Sequence, residues 1–250
     1  MEKKDRDGRS ALSLACICNQ RAVSKYLVAA GANVNSIDNA LNSPLLHAVN
    51  SGLTLNYELI ALLLDAGADA NQCNKFGQTP LITAVRRGSE HSLDGLLTVR
   101  DLIDHGCDLN DQDPASYGES AVHLSISRGQ DRITEALVRA GSDVNVRNQR
   151  GFSPLHRLAR DGKTELVKLL IAAGADTHLP KQFFVDEAGV VRNFDPEMKE
   201  LLKSRTGCMP SLKHLARVSL RKFLERRADN VIRHLNLPQT LRSYLLLLEL

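Results

Sequence analysis

Histidine is the side chain best suited to acid–base chemistry near neutral pH, and two histidines recur in phase. His123 and His156 each hold the fourth place of a repeated opening, Ser120-Ala121-Val122-His123 and Ser153-Pro154-Leu155-His156. At that place a His ties its own turn to the next, a structural role that outweighs catalysis. His47 falls one residue out of phase and is expected to be exposed. No His has a Cys or carboxylate partner at metal-ligand spacing. The five cysteines, Cys16, Cys18, Cys73, Cys107 and Cys208, are scattered and form no Cys-x-x-Cys pair. Reduced thiols are the plain reading, which places the chain in the cytoplasm, with the nucleus as an alternative. No Gly-x-Ser-x-Gly, Walker or dinucleotide pattern appears. The expectation is a protein with no catalytic residue, no metal and no cofactor of its own.

The net charge of +3 is unevenly spread. From Gly207 onward there are eight Lys/Arg and three Asp/Glu, or +5, which leaves 24 minus 26, or −2, before it. These basic residues interleave with a helical apolar pattern, so a solvated helix face is expected and no nucleic acid. Apolar runs such as Tyr244 to Leu248 are too short for a bilayer, and the charged start Met1 to Asp7 is no signal peptide. No membrane partner is expected.

The elements that position these residues repeat. A Ser/Thr followed by an apolar pair recurs at Ser10, Ser43, Thr79, Ser120 and Ser153, at steps of 33, 36, 41 and 33 residues. A Gly followed two residues later by Asn or Asp recurs at Gly31, Gly67, Gly106, Gly141 and Gly174. Ser/Thr suits the N-cap and Pro the first helical position. Apolar residues at helical spacing follow, then a second apolar helix, a closing Gly and an Asp/Asn-rich turn. Each helix–helix–hairpin unit buries its apolar face only against a neighbour. These marks resemble the ankyrin repeat and imply an all-α solenoid over about 5–180, within a segment 1–180. The units are placed at 5–37, 38–73, 74–112, 113–147 and 148–180.

The spacings also locate irregularities. From Ser/Thr to the closing Gly the distances are 21, 24, 27, 21 and 21, so the second and third units carry extra residues. In the third, Gly88 to Arg100 should lengthen the second helix or the loop before it. The turn between Gly106 and Ser120 is longer by two, around Asp113-Pro114-Ala115. The first unit begins almost at Met1 without a polar capping repeat, as in a chain shortened at its start. Residues 181–206 read as a degenerate unit or linker, with a hairpin near Phe183 to Val191 and a helix from Pro196 to Lys203.

From 207 to 250 the pattern changes. Apolar residues at 212, 215, 216, 220, 223 and 224 form one stripe of a helix entered by Pro210-Ser211. A second short helix is expected near Asn230 to Leu235, and a third after Pro238. This segment resembles the SOCS box, on Ser211-Leu212, Ala216 in place of a Cys, Leu220, and the element Leu235-Asn236-Leu237-Pro238. Ankyrin repeats followed by such a box resemble the ankyrin-repeat and SOCS-box family. That resemblance implies a substrate receptor of a cullin-5 RING ubiquitin ligase. Leu212, Leu215, Ala216 and Leu220 would contact elongin C, itself bound to elongin B. Leu235, Asn236, Leu237 and Pro238 would bear on cullin-5 with its RING partner. Ala216 forgoes about 1 kcal/mol of packing relative to Cys, against roughly 2–3 kcal/mol from a buried Leu212. Asn236 replaces a Pro. The alternative is an ankyrin scaffold or inhibitor whose tail only caps the array.

Candidate target contacts follow from the solenoid reading, since such arrays bind on the face of first helices and hairpin tips. Arg86, Arg87, Arg128, Arg157 and Arg160 fall in that region of three successive units, suited to an acidic target segment. Solvated helix residues are the alternative. Phe76, Tyr117 and Phe152 are anchors or, preferred on the sequence, packing between neighbouring hairpins. Asn110 and Asn145 lie in contexts resembling the site modified by the asparaginyl hydroxylase. Their plain role is to stabilise hairpins.

Overall fold

The computed structural model describes residues 3–52, 54–89 and 92–177. Five helix pairs follow one another: α1 (Ala11–Ile17) and α2 (Arg21–Ala29), α3 (Pro44–Asn50) and α4 (Tyr57–Asp65), α5 (Pro80–Arg87) and α6 (Leu93–Asp104), α7 (Ala121–Ser127) and α8 (Asp131–Arg139), α9 (Pro154–Asp161) and α10 (Thr164–Ala172). First helices stack in a row from α1 to α9, and second helices in a parallel row from α2 to α10.

The recurring Ser/Thr starts each pair. Ser43 Oγ accepts the Leu46 N–H at 3.2 Å and Thr79 Oγ1 the Ile82 N–H at 3.4 Å. Pro44, Pro80 and Pro154 occupy the first helical position. A cap of this kind contributes about 0.5–2 kcal/mol. At the other end Gly174 takes φ +94°, a left-handed conformation that a Cβ would penalise, and Ala175 N–H then donates to Leu170 O at 2.9 Å. The core is one continuous cluster of Leu, Ile, Val and Ala running through all five pairs, with Leu45, Leu63, Leu102, Leu137 and Leu170 fully buried. Among the described residues no aromatic side chain takes part in it.

The irregularities fall where the spacing puts them. In the second unit the loop between its helices spans residues 51–56, against 18–20 in the first. In the third unit both options are used: α6 has 12 residues where α2, α4, α8 and α10 have 9, and the loop before it covers 88–92. The long turn builds the only strands among the described residues, β1 (Gln112–Asp113) and β2 (Glu119–Ser120), antiparallel around a 3-10 turn at Pro114–Ser116. The hairpins join through the backbone: Asn39 N–H donates to Asp7 O at 2.9 Å, Lys75 N–H to Ala40 O at 3.0 Å, and Gln149 N–H to Tyr117 O at 2.8 Å. The unit expected at 181–206 and the helices expected in 207–250 lie outside the described residues.

Candidate functional site

Two of the five arginines taken as target contacts are engaged within the array. The Arg86 guanidinium pairs with the Asp113 carboxylate, which is fully buried in the expanded hairpin of the next unit. Arg87 donates to the carbonyls of Ser51, at 3.3 Å, and of Gly52, in the lengthened loop of the preceding unit. Both contacts have one physical cause. The inserted residues bring a carboxylate and two free carbonyls within reach of side chains that a regular repeat would leave in solvent. The other three remain on the surface. Arg157 and Arg160 share Asp161, at 3.2 and 3.3 Å, with side chains 39 % and 45 % exposed. Arg128 is exposed and forms no ion pair with a described residue.

The hairpin tips carry exposed aromatics: Phe76 at 69 %, Tyr117 at 58 % and Phe152 at 44 %. Large parts of all three rings therefore face solvent, while backbone bonds join the tips. Phe152 lies against the His156 ring, with centroids 5.7 Å apart. Arg150, a residue the sequence did not single out, sits over the Tyr117 ring at 4.1 Å. Tyr117 itself is held at φ +54°, where a bulky residue is strained. The 3-10 turn that presents it is capped by Asp113, whose Oδ1 accepts the Ala115 N–H at 3.1 Å. The brace from Arg86 thus supports the loop that displays Tyr117. Burial pushes the nearby Glu119 carboxyl up, opposed by the positive charges of Arg157 and Arg150. Arg157 and Arg150 both act on Glu119, beside Tyr117, and Arg128 and Arg160 lie at the ends of the first helices of the last two described units.

The histidines are structural. His123 Nδ1 accepts the Ser120 N–H at 3.3 Å, and Nε2 donates to Phe152 O of the next hairpin at 2.9 Å in the tautomer those bonds require. His156 repeats the first half, accepting the Ser153 N–H at 3.1 Å. Burial lowers the pKa of both rings. His47 departs from expectation: it is half-buried, with Nε2 2.9 Å from Asp38 Oδ2. One residue beyond the capping place, its ring reaches the hairpin carboxylate instead of its own N-cap. Burial lowers the His47 pKa, against the attraction of Asp38. Burial alone would raise Asp38, but N–H groups of Asn42 and Ala40 and the Asn42 side chain hold it below the usual carboxylate range.

Asn110 and Asn145 belong to a ladder of four. Asn35, Asn71, Asn110 and Asn145 each follow a closing Gly by four residues, a phase that was present in the sequence. Their Oδ1 atoms accept the N–H of Asp69 at 2.8 Å, Asp108 at 2.7 Å, Asp143 at 2.8 Å and Asp176 at 2.7 Å in the following unit. Asn145 Nδ2 also donates to Gly174 O at 3.0 Å.

Among the described residues Cys16 and Cys107 are buried, Cys18 and Cys73 are exposed, and all four are reduced thiols. Burial raises the Cys16 thiol to about 12, only partly countered by Ser24. No group of three His, Cys, Asp or Glu among the described residues could hold a metal ion, and no described helix is long and apolar enough to cross a membrane. Leu212, Leu215, Ala216, Leu220, Leu235, Asn236, Leu237 and Pro238 lie outside the described residues.

Stacked helix pairs, capped by recurring Ser/Thr and tied by an asparagine ladder, define a solenoid whose surfaces serve binding. The family model for ankyrin repeats matches in three copies, at residues 1–72, 45–148 and 92–181, and the model for the SOCS box matches residues 208–246. The chain belongs to the ankyrin-repeat and SOCS-box family. The pairing of these two modules is that of a substrate adaptor for a cullin-RING ubiquitin ligase, a class that is typically non-catalytic. A SOCS box implies elongin B/C and a cullin as partners in general.

Among curated proteins, the chain is similar to the putative ankyrin repeat protein YahD of Escherichia coli (strain K12), 30 % identical over 176 residues, covering 68 % of this chain and 83 % of the relative. It is similar to the nuclear factor NF-kappa-B p105 subunit of Gallus gallus, 32 % identical over 192 residues and 75 % of this chain. It is also similar to the B-cell lymphoma 3 protein homolog of Mus musculus, 34 % identical over 157 residues and 60 % of this chain. Of the latter two proteins it spans only 17 % and 32 % of the length.

Proposed function

We propose that this protein is the substrate-recognition subunit of an elongin B/C–cullin-5 RING ubiquitin ligase, acting in the cytoplasm. The observation that carries this reading is the SOCS-box match at 208–246, on the C-terminal side of an ankyrin array that ends at 181. Leu212, Leu215, Ala216 and Leu220 form the elongin C contact. Leu235, Asn236, Leu237 and Pro238 bear on the cullin. The array holds a target protein, and the recruited enzymes carry out ubiquitin transfer, so this chain contributes proximity alone.

The target contact is the surface of Arg128, Arg157, Arg160, Arg150 and Tyr117, and the target segment is acidic. Three observations support this: solvent-facing arginines at the last two units, a cation stacked on an exposed aromatic, and a braced loop that displays it. Aromatic and Arg side chains of this kind dominate binding energy at protein interfaces.

Co-expression with elongins B and C tests the assembly. A stable ternary complex, lost on Leu212→Asp, is the expected result, and its absence with soluble wild-type chain sinks the reading. The target surface is tested separately by affinity purification. Arg128→Glu/Arg157→Glu/Arg160→Glu should lose proteins that the wild type captures while keeping the elongins. An unchanged set of captured proteins would disprove the acidic-target assignment.

A further inference from the structure

Two large apolar side chains are held in left-handed backbone at the hairpin tips. Two residues before the N-cap, Gly8, Gly77, Gly118 and Gly151 take φ of +78°, +71°, +68° and +77°. The second unit places Leu41 there, at φ +62°. One residue earlier in the fourth turn, Tyr117 takes φ +54°. Left-handed backbone crowds Cβ against the carbonyl oxygen, a cost that Gly avoids and a bulky residue bears. Among the described residues the third such non-glycine is Asn19, a type that tolerates the conformation. A Cβ at Gly77 would meet Pro114 of the next hairpin at 3.0 Å. At Leu41 the next hairpin leaves room, and the side chain is 37 % exposed. Both strained turns are fixed by neighbouring groups. Asp38 Oδ1 accepts the N–H of Ala40 and of Asn42, each at 2.8 Å, and Arg86 braces Asp113, which caps the turn of Tyr117. Strain of this kind persists only where its surroundings fix it, and it concentrates where ligands bind. Burial does not account for it, since Leu41 and Tyr117 both remain exposed.

Exposed Phe76 stands between them in the order of the units, and Lys75 N–H, donating to Ala40 O at 3.0 Å, joins its turn to that of Leu41. Leu41, Phe76 and Tyr117 thus form an apolar row on three successive tips. We propose that this row anchors large apolar side chains of the target, so that the target is an extended segment both apolar and acidic. Its apolar residues sit on the tips of the second to fourth units, and its acidic residues on the arginines of the fourth and fifth. Charge selects this occupant over a purely apolar one. Exposed Lys75 adjoins Phe76 in the chain, and Arg150 lies over the Tyr117 ring at 4.1 Å, so a cation accompanies each aromatic anchor. Helices stacked at about 8–10 Å set the step from one tip to the next. An extended chain rises about 3.3 Å per residue, so apolar residues about three apart in the target reach neighbouring tips. The assignment rests on the acidic-target reading and adds to it the apolar half and the spacing. Large apolar anchors of this kind carry a disproportionate share of binding energy.

The probe is a random peptide library displayed on phage and selected on the full chain. Enriched peptides should be acidic and should carry two large apolar residues about three apart. A synthetic copy of the leading peptide, followed by fluorescence anisotropy, should bind about tenfold more weakly to Leu41→Gly and to Phe76→Ala. It should also weaken on Arg128→Glu/Arg157→Glu/Arg160→Glu. Both single variants should keep the wild-type urea midpoint, because Phe76 faces solvent and Gly adopts the left-handed turn without a Cβ. A midpoint clearly lowered by Leu41→Gly would show that packing holds Leu41 and would overturn its place in the row. Acidic peptides without an apolar pair, or bound equally by wild type, Leu41→Gly and Phe76→Ala, overturn the apolar row and leave the acidic-target reading standing. Peptides without acidic residues, bound equally by the triple variant, sink that reading and the two-part target with it. A selection that enriches nothing overturns the row as well.

Discussion

The guanidinium of Arg86 holds the fully buried carboxylate of Asp113, joining the third ankyrin unit to the expanded hairpin of the fourth. One oxygen of that carboxylate also caps the turn that presents Tyr117. The pair is therefore a brace between a regular helix and an insertion. Removing Arg86 leaves a buried carboxylate without its cation, and a hydrogen bond to a charged group contributes about 1.5–3 kcal/mol. Arg86→Ala should lower the urea unfolding free energy by about 2 kcal/mol. Arg86→Ala combined with Asp113→Asn should cost clearly less than the sum of the two single changes. Strict additivity would show that the brace is not a coupled pair.

Acid should loosen the array before it titrates the ordinary carboxylates. His47, His123 and His156 have folded pKa values below 6.5, chiefly through burial. The unfolded chain then binds these protons more readily than the folded one. The stability they contribute is present above pH 6.5 and is lost as pH falls through the lower folded values. Burial of Asp101 and Glu119, whose carboxyls are pushed up, acts in the opposite sense. Urea unfolding should thus give a lower free energy at pH 5.5 than at pH 7.5, and the carboxyl effect should show at lower pH. His123→Asn should flatten the slope, and a slope unchanged in that variant would remove His123 from the explanation.

The asparagine ladder should set local opening. Asn145 makes two hydrogen bonds into the next turn, to Asp176 N–H and to Gly174 O. At about 1 kcal/mol each, Asn145→Ala should destabilise by about 2 kcal/mol. Hydrogen exchange should quicken first in the last described unit. In cells, Asn110 and Asn145 are the residues at which a mass increase of one oxygen atom would appear if the hydroxylase acts. Peptide mass spectrometry decides this.

The tail departs from its family pattern at two places, and both can be restored. Ala216→Cys should tighten elongin C binding by about 1 kcal/mol, the value of one buried methylene-sized group. Asn236→Pro should strengthen cullin-5 binding by pre-setting the backbone, with no effect on elongin affinity. Titration calorimetry of each variant against its own partner separates the two halves. An Ala216→Cys variant that binds elongin C no better than the wild type would move the contact away from this position.

Much of the array was legible because its signals are local. N-cap hydroxyls, Pro at the first helical position, closing glycines and helical apolar spacing all act within a few residues of chain. The Asp113-Pro114-Ala115 insertion and the lengthened third unit could be placed by counting alone, and the tail betrayed its class by Leu212, Leu220 and Leu235 to Pro238. The asparagine ladder was half seen, through Asn110 and Asn145, although Asn35 and Asn71 carry the same phase.

What sequence alone could not decide was which polar side chains remain free once the units stack. Arg86 and Arg128 look alike in the chain, yet one is drawn onto Asp113 and the other faces solvent. His47 and His123 both meet a hairpin, but through different partners, because one residue of phase turns the ring by a third of a helical turn. Local propensity determines which elements form. The contacts made between units, at distances set by insertions and by the presence of a neighbour, determine which side chains are left to bind.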